Sequence, residues 1–152
     1  MEQNYVTERV KTNNLTLLTD LYQLTMMNGY HLCGLDKTRA VFDVFYRGAG
    51  GYSYAIAAGL EQAIDYVRNL HFDDSDIEYL RSLGIFGEEF LAALKNFSFS
   101  GDMKAVPEGT MVFPYEPILT VSAPLWEAQL VETAILTFIN HQTLIATKAA
   151  RL

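Results

Sequence analysis

The chain opens its patterned region with Leu17-Leu18-Thr19-Asp20-Leu21-Tyr22-Gln23-Leu24-Thr25-Met26-Met27-Asn28-Gly29-Tyr30. The spacing predicts a helix over 21–33, with Gly34 at its C-terminal end. Asp20 is placed to cap its first turn, and Gln23, three residues on, to complete a capping box. At about 100° per residue, Tyr22, Met26, Tyr30 and Cys33 share one side, with Leu24 and Met27 opposite. A helix apolar on two sides is expected to be packed on two sides, and so to be central. A strand is expected over 40–46, followed by the glycine-rich turn Gly48-Ala49-Gly50-Gly51. Ser53 is placed to cap a helix over 54–70, with Ile56, Leu60, Ala63, Ile64 and Val67 as its buried stripe. Asp73-Asp74-Ser75-Asp76 starts another helix, ending near Gly84, and a short one follows over 88–96. Phe97-Ser98-Phe99-Ser100 switches to a period of two, which predicts a strand. Two short strands are expected over 110–113 and 118–122. Pro124 then fits the first turn of a helix, or helix pair, over 125–151.

Helix, strand, helices, several strands and helix in that order make an α+β fold, not a βαβ repeat. The 152 residues are enough for one domain with a real core. Residues 1–14 are polar and mixed in charge, and are expected to be a frayed N-terminus. They lack the apolar core of a secretion signal. The 125–139 stretch is apolar but contains Glu127, Gln129 and Glu132, which makes it a buried helix and not a membrane span. One cysteine permits no intrachain disulfide and suits a reducing cytoplasm. The net charge of −7 argues against a general nucleic-acid binder, so an anionic substrate needs a local cationic patch. Arg47, Lys148 and Arg151 are the candidates.

Each candidate has a structural reading beside the chemical one. Tyr22 offers a flat partner to an aromatic ring at a helix N-terminus, but periodicity alone favours a core tyrosine beside Met26. Arg47 ends a strand at the glycine turn, as a phosphate fork or as an exposed strand-end charge. Lys148 and Arg151, three apart, share a helical face that is either a phosphate-binding edge or a solvated surface. The glycine turn lacks the lysine-serine of a phosphate loop and the third glycine of a dinucleotide fingerprint. His31, His71 and His141 are far apart with no cysteine at ligand spacing, so no metal site is expected.

Thr19 to Met26 resembles the opening motif of nicotinate phosphoribosyltransferases. The likeness continues in Phe42-Asp43-Val44-Phe45-Tyr46-Arg47, Ala57-Ala58-Gly59-Leu60, Pro107-Glu108-Gly109 and Val131-Glu132-Thr133, and closes in Thr143-Leu144-Ile145-Ala146-Thr147-Lys148-Ala149-Ala150-Arg151. Six motifs in order cover nearly everything after Leu15. The resemblance implies the N-terminal domain of a type II phosphoribosyltransferase, a mixed or antiparallel sheet with helices, ending before an α/β barrel. On that reading 1–14 is a flexible terminus, 15–123 the α+β domain and 124–152 a helical segment leading into the barrel, on which the apolar part of the last helix is expected to pack.

The resemblance also implies an activity: ATP-coupled synthesis of nicotinate mononucleotide and pyrophosphate from nicotinate and phosphoribosyl pyrophosphate, with Mg²⁺ on the pyrophosphate. By resemblance Tyr22 stacks on the pyridine and Arg47 helps hold the phosphoribosyl pyrophosphate, both across a homodimer interface. No catalytic residue is matched within the chain, and the phosphorylated histidine of the family matches none of the three here. A carboxylate at Asp20 would repel that of nicotinate, so Asp20 is assigned to the helix cap. The rivals are a nicotinamide phosphoribosyltransferase, a quinolinate phosphoribosyltransferase, and a non-catalytic dimerisation or ligand-binding module.

Overall fold

The computed structural model describes residues 14–48 and 53–152. The expected frayed terminus, Asn14 apart, and the glycine turn beyond Gly48 lie outside the described residues. The described elements are α1 (Leu21–Leu32), β1 (Arg39–Phe45), β2 (Ala55–Ile56), α2 (Leu60–Arg68), α3 (Asp74–Ser82) and α4 (Glu88–Lys95). They continue with β3 (Asp102–Ala105), β4 (Met111–Val112), β5 (Pro117–Pro124) and α5 (Leu125–Ala149).

The organising element is α5, not α1. It is one helix of 25 residues, about 37 Å long at 1.5 Å per residue. It packs on α1, α2, β1, β2 and β5. Ala128, Leu130, Val131, Ala134, Ile135, Phe138 and Ile139 are all buried within this chain. The expectation that this apolar stretch waits for a barrel is corrected: its partners are the sheet and the other helices of the same domain. The 123/124 boundary is likewise no break in packing.

β1, β5 and β3 form an antiparallel sheet in that order, and β2 pairs with β4 in a second antiparallel ladder. β5 is central and buries Ile118, Leu119, Val121 and Ala123, whereas edge strand β1 buries only Val44. The strand expected at 97–100 lies instead at Asp102–Ala105. Phe97 alternates with Phe99 but is drawn into the core, edge-on to Phe72 and Trp126. A Cβ at Gly101 would stand 2.4 Å from the Ala123 Cβ, so glycine there lets the chain close on β5 before β3 begins.

The helix expected from Ser53 also begins later, at Leu60, with Gly59 as its N-cap. The segment before it is β2, held by α5: Ile56 N–H donates to Thr147 Oγ1 (2.9 Å) and Ala58 N–H to Thr143 Oγ1 (3.2 Å). Gly59 has φ +101°, and a Cβ there would lie 2.7 Å from the Phe138 carbonyl oxygen. Two family-like motifs therefore meet at this corner. Glu108 Oε1 accepts from both Gly59 N–H and Leu60 N–H at 2.7 Å, supplying from 49 residues away the cap that glycine lacks.

Candidate functional site

α1 ends as predicted. Gly34 takes φ +68°, Leu35 N–H donates to Tyr30 O (2.8 Å) and Gly34 N–H to His31 O (3.1 Å), a Schellman ending. Its start departs from the prediction. Asp20 occupies the N-cap position with extended backbone, but its side chain caps nothing. Its Oδ2 accepts from Thr133 Oγ1 on α5 (3.0 Å). Gln23 does not reach back to the Asp20 N–H either. The structural cap assigned to Asp20 and the capping box are both corrected, because α5 offers these side chains better-placed partners than the helix end does.

The sides of α1 are also unequal. Gln23, Leu24 and Met27 are buried, while Tyr22 is 48% and Met26 39% exposed and Cys33 is exposed. One face packs on α5 and the other is open. Tyr22 is therefore not the core tyrosine that periodicity allows.

Beneath the Tyr22 ring lies a continuous polar seam between α1 and α5. Gln23 Nε2 donates to Tyr22 Oη (2.9 Å) and Thr133 Oγ1 (3.1 Å). Gln129 Nε2 donates to Gln23 Oε1 and to Glu132 Oε2 (3.1 Å). Tyr30 Oη donates to Gln129 Oε1 (3.3 Å). Gln23 is fully buried and Gln129 is 3% exposed. Desolvation of the hydroxyl, then the charges of Glu132 and Asp20, push the Tyr22 phenol above its ordinary value, although half the ring is open.

Beside this seam is a cleft of about 810 Å³. β1 supplies Phe42 and Val44, α5 supplies Ile135 and Leu136, and Asp43, Arg47 and Glu132 are its charged members. Glu132 thus belongs both to the cleft and to the seam under Tyr22. Arg47 is exposed, its guanidinium 5.7 Å above the Phe45 ring. The lining is mainly apolar with a few convergent polar groups, as in small-molecule sites.

Lys148 and Arg151 are not brought to this cluster. Lys148 lies 16 positions past Glu132 on α5, about 24 Å along the axis, and is exposed. Arg151 lies beyond the last helical residue, so the two share no helical face. Its guanidinium sits 4.5 Å from the centre of the Tyr54 ring and donates to Tyr54 O (3.2 Å). Among the described residues no three His, Cys, Asp or Glu side chains gather as a metal site, and no helix is long and apolar enough to cross a membrane.

Sequence reasoning missed the working partners of Tyr22: Gln129, Glu132 and Thr133. The signal was present. Polar side chains on an apolar helix each need a buried partner, and a second polar group elsewhere has to supply it.

Residues 17–140 match the nicotinate phosphoribosyltransferase (NAPRTase) N-terminal domain. The chain belongs to that family. The Bacillus subtilis nicotinate phosphoribosyltransferase is 47% identical over 143 residues, which are 93% of this chain and 29% of the relative. The human one is 39% identical over 144 residues, 90% of this chain and 26% of the relative. The crystal structure of human nicotinic acid phosphoribosyltransferase superposes with a TM-score of 0.81 at 36% identity, over 88% of this chain and 27% of that one. A nicotinate-nucleotide pyrophosphorylase from Pyrococcus furiosus superposes at 0.64 with 18% identity, a likeness of fold alone. This NAPRTase N-terminal domain thus spans about 29% of the length of the Bacillus relative.

Proposed function

We propose that this chain is the N-terminal domain of an ATP-coupled nicotinate phosphoribosyltransferase. The whole enzyme joins nicotinate to phosphoribosyl pyrophosphate, releasing pyrophosphate and giving nicotinate mononucleotide for NAD synthesis in the cytoplasm. The observation that carries the reading is Tyr22: an aromatic ring within the family's opening motif, half exposed, with its hydroxyl tied to a buried amide. Such a ring is a ready platform for a pyridine.

In this reading Tyr22 stacks on nicotinate and Arg47 pairs with phosphate oxygens. Both act across a homodimer interface, which accounts for the open face of α1. The acidic pair Asp20 and Glu132 beside the phenol sets the nicotinate carboxylate on the far side of the ring, where it escapes their repulsion. Lys148 is retained as a candidate phosphate contact. Arg151 is not, because its guanidinium is engaged with Tyr54.

ATP and Mg²⁺ belong to the whole enzyme in this reading, and among the described residues no three His, Cys, Asp or Glu side chains gather to ligate the cation. No step is assigned to them on this chain. The ribosyl transfer itself falls to residues that full-length relatives carry outside the matched segment, so the 152-residue chain alone is expected to be inactive.

The test is an assay of nicotinate mononucleotide formation by a full-length protein carrying this domain, beside the 152-residue chain. Product from the long protein with nicotinate, and none from the short chain, is the expected result. Product with nicotinamide or quinolinate in place of nicotinate would favour those relatives, and binding without turnover by the long protein would favour a non-catalytic module.

A further inference from the structure

We propose that Gln23 is a positioning residue whose buried amide fixes the Tyr22 ring in the orientation that receives the pyridine. The inference rests on the proposed stacking role of Tyr22.

The geometry of the seam carries it. Gln23 has one acceptor oxygen and two amide hydrogens, and all are used. Gln129 Nε2 donates to the oxygen, while the hydrogens go to Thr133 Oγ1 (3.1 Å) and Tyr22 Oη (2.9 Å). Thr133 is directed in turn by Asp20, and Gln129 by Tyr30 and Glu132. With its carbonyl held by one partner and an amide hydrogen by another, the Gln23 amide cannot rotate without breaking a buried bond. Burying so many polar groups between two helices gains little in stability over an apolar seam of the same shape. It does fix direction. Tyr22 and the half-buried Tyr30 are the seam's two aromatic members, and Tyr22 is the one whose ring is exposed.

The consequence for Tyr22 is mechanical. Backbone holds one end of the ring axis, and the Gln23 amide, with Thr133 and Glu132 beside it, holds the hydroxyl at the other. A ring ordered in advance does not have to be ordered by the ligand, which strengthens binding without a new contact. The hydroxyl therefore matters although it need not touch the substrate. Tyr22→Phe keeps the stacking surface but releases the ring.

The experiment is a double-mutant cycle on the full-length protein carrying this domain, read as the KM for nicotinate with phosphoribosyl pyrophosphate saturating. Gln23→Met keeps the length of the side chain and removes the amide. It is expected to raise the KM about two- to tenfold, the worth of one neutral hydrogen bond. Tyr22→Phe is expected to raise it by a similar factor. The two together should do no more than Tyr22→Phe alone, because Phe already lacks the hydroxyl that the Gln23 amide holds. A purely structural glutamine predicts instead that Gln23→Met has the same effect whether or not Tyr22→Phe is also present, and that result overturns the proposal. Tyr22→Ala separates the two levels. No change in nicotinate KM on Tyr22→Ala sinks the stacking reading itself. A clear rise there, with none on Gln23→Met, sinks only the positioning role. If Gln23→Met does not fold, Thr133→Val releases the same amide and is read through the same cycle. A nuclear Overhauser contact between the Gln23 amide hydrogens and the Tyr22 ring in the unmodified 152-residue chain checks the bond directly, and its absence overturns the proposal.

Discussion

Two helix starts carry nearly the same sequence signal and use it in opposite ways. At α3, Asp73 and Asp76 form a complete capping box: Asp76 N–H donates to Asp73 Oδ1 (2.9 Å) and Asp73 N–H to Asp76 Oδ2 (3.1 Å). At α1, Asp20 and Gln23 stand at the same spacing and make neither bond. The difference is what lies opposite. α3 has no polar face from another element set against its capping pair, beyond Asn14, which donates to Asp76 Oδ2 (2.7 Å). α1 lies against the stripe of α5 that carries Gln129, Glu132 and Thr133. A polar side chain bonds locally when nothing better is near, and across the fold when a buried partner needs it. At α1 the unused cap signal marks side chains turned to α5 beneath the Tyr22 ring.

α2 extends the comparison. Its N-cap is glycine, which has no side chain to offer, and Glu108 fills the gap from the turn before β4. One start is capped locally, one by a distant carboxylate, and one has no side-chain cap and has turned its polar residues to other use.

The largest expected effect is at the seam. Gln23→Leu takes from Gln129 and Thr133 the one fully buried partner each has and should cost about 1–3 kcal/mol in urea unfolding. Adding Gln129→Leu should recover part of that loss, since two matched apolar groups replace a broken pair. A loss near zero for Gln23→Leu would mean the α1 side chains are not engaged with α5. Next comes Glu108→Ala, which uncaps α2 and should cost about 0.5–2 kcal/mol by the same measurement. Asp73→Ala should destabilise more than Asp20→Ala, because only Asp73 caps. Asp20→Ala is expected to stay within about 0.5 kcal/mol. A reversal of that order would erase the contrast between the two helix starts.

The smallest effect is in acid. Asp73 is held at about 2 against an ordinary 3.8, first by the Ser75 hydroxyl and then by the Asp76 N–H and Asn14. A carboxylate depressed in the folded state stabilises above its unfolded value, and that contribution fades as the pH falls from about 4 to about 2. Asp73→Asn keeps a capping oxygen without a titrating proton. Its unfolding midpoint should depend less on pH across that window than that of the unmodified chain.

The sequence carried the elements that are decided locally. α1, α3 and α4 lie within a residue or two of their predicted ranges, because caps, glycine endings and apolar stripes sit within a few positions of one another. It did not carry β2, whose Ala-Ile-Ala run favours a helix until Thr143 and Thr147, some 90 residues on, take up its N–H groups. The same holds at the site. Tyr22 and Arg47 were visible as residue types at element ends. That Tyr22 is open rather than buried, and that Gln23 serves it rather than the helix cap, depends on which face of α5 lies opposite, and spacing along one helix holds no such information.

The most direct test of the central claim asks whether Tyr22 is a pyridine platform offered to a partner subunit. Full-length Tyr22→Ala chains are mixed with chains inactivated elsewhere in the active site that keep Tyr22. In a mixed dimer one site then joins an intact tyrosine to intact machinery on the opposite chain, so nicotinate mononucleotide formation should return in proportion to the mixed dimers formed. If mixed dimers form and no activity returns, Tyr22 does not serve the partner's site, and the account of α1 is wrong.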